Sequence, residues 1–187
     1  MPAILLTAPV AEPVTLAMAK AHLRIGHGDE DQLITALIAA ARRVAEARTG
    51  LCFITQRWLC LFDRWPEDGM LTLPVSPPAA IAEVAVFAAD GGKQVVGAEL
   101  YDADLASRPP RIVRMDAASW PVPGRAVNGI GITVEAGFGA APAAVPEDLR
   151  QAVLLMVAHW YAHRGDEPQP LPAGIAALLT PFREVRL

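Results

Sequence analysis

The sequence predicts an α+β fold: a small antiparallel helical bundle, an inserted β module of short strands, and a C-terminal arm. Three observations lead there. Residues 30–49 and 146–164 each carry apolar side chains at helical spacing along one side. Between them the period drops to two around Trp58–Phe62, and prolines at 66, 74, 77, 78, 109, 110, 121 and 123 exclude long helices. Residues 168–187 open with a proline-rich spacer and end apolar and basic together. The divisions implied are 1–53 for the N-terminal helices, 54–140 for the β module, 141–167 for the third long helix and 168–187 for the arm.

Taken in order, Thr15 is suited to cap a short helix over 16–24, with Leu16, Ala19 and Leu23 on one face. Gly26 and Gly28 interrupt the chain. Asp29 then stands three residues before Gln32, the spacing of a capping box, and Glu30 and Asp31 place negative charge where a helix dipole favours it. Leu33, Leu37, Ala40, Ala41 and Val44 form the stripe of this second helix, widened by Ile34 and Ile38, and Gly50 closes it. About six short strands follow, over 58–62, 70–73, 81–87, 93–96, 111–115 and 130–135, with a hairpin turn at Asp90-Gly91. Pro146 suits the first helical position of the third long helix, ahead of Glu147 and Asp148, and Leu149, Val153, Met156, Val157 and Trp160 line its apolar face. Two one-sided helices each need a partner, so they are expected to pack on one another. Residues 173–179 fit one or two further turns before Pro181.

Composition narrows the function. A chain of 187 residues buries about 70% of its unfolded surface and needs neither disulfide nor metal to fold. With 53% hydrophobic and 19% charged residues it is globular. The net charge of -4 lacks the basic surplus of a protein that grips nucleic acid, while a mildly acidic protein is free to surround DNA without holding it. Cys52 and Cys60 do not form a C-x-x-C pair and are read as buried thiols. Ile4-Leu5-Leu6 is too short, and lacks the basic flank, for a signal peptide, and no apolar run reaches the ~18 residues of a membrane span. The expected place of synthesis is the cytoplasm.

Catalytic patterns are weak. His159 and His163 share a helix face, but a metalloprotease would need Glu after the first, where Trp160 stands. The Asp29-Glu30-Asp31 run is explained by helix capping; Asp102 and Asp104 alternate on a possible strand, where they would suit a cation, and are read instead as a solvated loop. No nucleophile–base pair, phosphate loop or dinucleotide fingerprint is present. Metal and cofactor are therefore both expected to be none. The tail supports two readings: a last helix folded back on the core, or an arm projecting into a partner, held semi-extended by its prolines.

Three stretches in order carry a resemblance. The first is Glu12-Pro-Val-Thr-Leu-Ala-Met-Ala-Lys-Ala-His-Leu-Arg-Ile25, with Asp29–Ile34 and the helix ending at Gly50. The second is Glu135-Ala-Gly-Phe-Gly139 with Val145-Pro-Glu-Asp-Leu-Arg-Gln-Ala-Val153, running on to Arg164. The third is Leu178-Leu-Thr-Pro-Phe-Arg183. Together they resemble the head–tail connector (adaptor) proteins of long-tailed phages and prophages, including the similar adaptor of gene transfer agents. The resemblance implies a structural protein, not an enzyme, that forms a dodecameric ring beneath the portal protein. It implies docking of a stopper or other tail-side protein on the far side, and passage of DNA through the bore without sequence-specific binding. The life cycle implied runs from the host bacterial cytoplasm to the head–tail interface of the virion. On this view the arm binds the portal through Leu178, Leu179, Phe182, Arg183, Arg186 and Leu187. The competing readings are a stopper or tail-completion protein, and a small phage-encoded hydrolase.

Overall fold

The computed structural model describes residues 2–115, 119–164 and 170–183. In chain order the elements are β1 (Ala3–Thr7), α1 (Leu16–Leu23), α2 (Asp31–Thr49), β2 (Gln56–Phe62), β3 (Met70–Thr72), β4 (Pro78–Phe87), β5 (Lys93–Val95), β6 (Tyr101–Asp104), β7 (Arg111–Arg114), β8 (Ile130–Ala136), α3 (Glu147–Ala162) and α4 (Ala173–Leu179). The chain is therefore α+β. It divides into two units: Met1–Ala8 with Thr55–Gly137, and Pro9–Ile54 with Phe138–Leu187.

The second unit is helical. α2 and α3 pack on one another, on a face of α2 centred one residue on from the expected stripe: Ile34, Ile38, Ala41 and Ala45 are buried in one cluster with Leu149, Val153, Met156 and Val157 of α3, Leu37 and Val44 lie partly buried at its edge, and Leu33 is exposed. The start of α2 is bonded to the end of α3, through Glu30, Tyr161 and Arg164, so the two helices run antiparallel. Phe53, fully buried, joins the cluster. Each such side chain contributes about 1.5–3 kcal/mol on burial. Thr15 caps α1 by accepting the Met18 N–H at 3.2 Å. Gly50 ends α2 at φ 77°, a left-handed conformation in which a Cβ would be strained. Arg42, 9% exposed, is held by Glu12 and Glu46, each at 2.7 Å. Those bonds compensate the burial of its charge.

The start of α2 departs from the expected cap. Glu30, not Asp29, occupies the cap position, and no side chain bonds the free N–H groups there. The acids reach sideways instead. Asp31 bonds Lys20 of α1 at 2.6 Å, and Glu30 bonds α3 and the residues just past it. At the other long helix, Pro146 sits at the cap and Glu147 is the first helical residue.

The first unit holds two antiparallel sheets, ordered β1-β2-β8-β4-β5 and β3-β7-β6. Its described residues form eight strands where the sequence suggests about six; β1 and β6 are the additions. Side chains alternate across a sheet. Cys60, Ile132 and Val84 thus sit side by side on one face and are buried. Leu59, Thr133 and Glu83 share the other, partly exposed face. The β4–β5 turn falls at Asp90-Gly91 as expected: Gly91 has φ 95°, and Asp90 accepts the Gly92 N–H at 2.8 Å. Neither cysteine forms a disulfide, and burial pushes the Cys60 thiol up to about 11. No helix among the described residues is long and apolar enough to cross a membrane.

Candidate docking surfaces

The C-terminal segment is built from both ends of a short helix. Ile175 and Leu179, four apart on α4, point the same way and are 3% and 2% exposed in the helical core. Leu178 and Phe182 are half-buried and pack against the same cluster. Pro172 precedes the first turn, and the Thr180 hydroxyl donates to the Ala176 carbonyl at 2.8 Å in the last. At Arg183 the backbone turns extended, with φ -68° and ψ 123°, and the side chain is exposed. Of the six residues read as portal-binding, then, Leu178, Leu179 and Phe182 gather on the helical core and Arg183 leaves it. Arg186 and Leu187 lie outside the described residues.

A polar cluster sits where α2 begins and α3 ends. The Tyr161 hydroxyl and the Arg164 guanidinium both donate to the Glu30 carboxylate. Arg164 also stacks over the Tyr161 ring, 4.6 Å from its centroid. The Tyr161 bond above all, then the Arg164 charge, holds the Glu30 carboxyl below its usual range against the opposing pull of desolvation. These contacts are the work of the acidic run that spacing alone assigns to capping. His159 and His163 stack at 4.6 Å between centroids, with the His163 N–H bonded to the His159 carbonyl at 3.1 Å. Among the described residues no three His, Cys, Asp or Glu converge as metal ligands. Asp104 lies on β6 rather than in a loop. It accepts bonds from Ser107 and Arg111, which hold its carboxyl below the usual range. A hollow of about 350 Å³ lined by Phe62, Asp63, Arg64, Pro66, Met70, Leu71 and Thr72 presents no nucleophile with a base.

Among the described residues, most of the exposed large apolar side chains belong to the β unit. On β1, Ile4, Leu5 and Leu6 are 48%, 43% and 50% exposed. A second site is the loop after Trp120, pinned by the Trp65 indole N–H on the Pro121 carbonyl at 2.9 Å and by the Asn128 N–H on Asp63 at 2.8 Å. It holds Val122 and Val127 out to solvent. Sequence reasoning missed β1 as a surface. The signal was there: three apolar residues in a row near the start, bounded by Pro2 and Pro9.

Residues 13–90 match the sequence profile of the phage gp6-like head–tail connector proteins. A chain from the neck of an empty gene transfer agent particle, computed with C6 symmetry, superposes with a TM-score of 0.85. It is 31% identical, over 100% of this chain and 97% of that one. This chain belongs to the phage gp6-like head–tail connector family. A chain from the virion of a native gene transfer agent particle is 29% identical with a TM-score of 0.84, over 100% and 97% of the two chains. Another, from the neck of a native particle computed with C12 symmetry, is 29% identical with a TM-score of 0.75, over 98% and 97%. No curated protein gives a significant match. The connector is accordingly a structural head–tail adaptor of a phage-like particle, and both units are part of the shared fold.

Proposed function

We propose that twelve copies of this connector form a ring beneath the portal protein, joining the head to a stopper or other tail-side protein, with DNA crossing the bore. The full-length likeness to gene transfer agent neck chains, one of them in a C12 neck, carries this reading. The net charge of -4 supports a passage that repels DNA. The role needs no catalysis and no cofactor. Assembly takes place in the host bacterial cytoplasm before the particle is complete.

The portal contact falls to the C-terminal arm. Leu179 anchors its root in the connector's own core, and Leu178 and Phe182 offer their outer edges. Arg183, Arg186 and Leu187 make the contact itself, apolar groups filling portal pockets and arginines pairing with carboxylates or carbonyls. The test is retention of purified portal by the full chain and by a chain ending at Phe182. A cut at Pro170 would also strip Ile175 and Leu179 from the core. Binding by the full chain alone is the expected result. Equal binding by both overturns the arm assignment and keeps the adaptor. No binding by either moves the protein to the tail side, as a stopper or tail-completion protein.

A further inference from the structure

The five-stranded sheet has two open ends among the described residues. At one end, the Leu61 N–H donates to the Pro2 carbonyl at 3.0 Å, and Ile4 stands opposite Leu59. Pro2 and Ile4 therefore face β2, and Ala3 and Leu5 turn their N–H and C=O groups to the open side. At the other end, the Val96 N–H donates to Val84 and the Ala88 N–H to Gly92, both at 2.8 Å. Gln94 and Val96 therefore face β4, and Lys93 and Val95 face out. Neither edge is paired among the described residues. The β1 edge, Ala-Ile-Leu-Leu-Thr, has none of the charges or prolines within it that normally blunt an open strand.

We propose that β1 of one copy pairs with β5 of the next, so that the ring is closed by sheet edges. This rests on the ring reading above. Cyclic symmetry requires two different, complementary patches on each copy, and two opposite edges of one sheet supply them. Direction follows too. Four antiparallel steps separate β1 from β5, so both point the same way, and rotation about a ring axis keeps neighbouring copies nearly aligned. The new pair is parallel. Face parity agrees: the outward residues of β1 lie on the Cys60 face and those of β5 on the Leu59 face, the arrangement a parallel ladder needs. In the register that uses Ala3, Leu5, Lys93 and Val95, Ile4 lies beside Val95 on one face, and two apolar side chains 48% and 57% exposed cover each other.

The test uses the assembled neck. Ile4→Cys with Val95→Cys, oxidised in particles, is expected to give a ladder of linked multimers on a non-reducing gel. Each single variant is expected to stay monomeric, since the native Cys60 is on the other face. Leu5→Pro removes an N–H that the isolated chain leaves in solvent. It is expected to keep the circular dichroism spectrum and melting temperature of the free chain while cutting ring formation on portal at least tenfold. A ring of normal copy number without the ladder overturns the strand joint and leaves the ring standing. A native chain that forms no ring on portal overturns both.

Discussion

The two units treat their apolar side chains in opposite ways. Among the described residues, the helical unit turns nearly all of them inward: Phe53, Ile34, Leu149 and Met156 are fully buried, and its large exposed ones are Val10 and Leu33. The β unit leaves Ile4, Leu5, Leu6, Met70, Val95, Met115, Val122 and Val127 in solvent. An isolated exposed leucine means little, but a run on an edge strand and a pair on a pinned loop gather exposed apolar area in one place. The helical unit has the internal packing of a finished domain.

That contrast is open to attack at several strengths. The largest effect is expected from Phe53→Ala, which opens a cavity in the helical core and costs about 3–5 kcal/mol in urea denaturation. A loss under about 1 kcal/mol would mean the core is looser than its burial indicates. A smaller effect is expected from Glu30→Gln. The folded pKa of Glu30 lies below the ordinary 4.5, so its contribution is complete above that value and is lost as the pH falls through the lowered one. Stability measured from neutral to acid pH should show the native chain ahead at neutral pH and the gap closing in acid; a constant gap would assign the loss to packing. The smallest effect is expected from Val122→Ser, within about 0.5 kcal/mol for the free chain. A larger loss would turn that loop from a docking surface into part of the β unit's own core.

Much of this was legible in residue spacing. The stripes of α2 and α3 announced both helices and their pairing, because a one-sided helix has few other ways to hide its face. Asp90-Gly91 announced the hairpin. β1 escaped because Ile4-Leu5-Leu6 has no alternation, being exposed on both faces of an edge, and β6 because Asp102 and Asp104 are poor strand formers. The acids before α2 misled because caps are read from local spacing, whereas Glu30 found its partners 131 and 134 residues away. At the C-terminus the apolar pattern was plain, but the sequence could not tell which leucines the fold itself would use. Ile175 and Leu179 went to the core, and Arg183 did not.

The central place of β8 sets a clock. Both β2 and β4 pair with it, yet it is the last strand of the unit to be made, with its first residue, Ile130, far downstream of Phe62. At about 5–20 residues per second, a ribosome leaves β1 and β2 waiting several seconds for the strand that joins them to β4. Throughout that interval the edges of β2 and β4 that β8 will fill are open to any chain nearby. Nascent connector chains on one message should therefore be most prone to premature pairing just before residue 130 emerges, and least so just after 136.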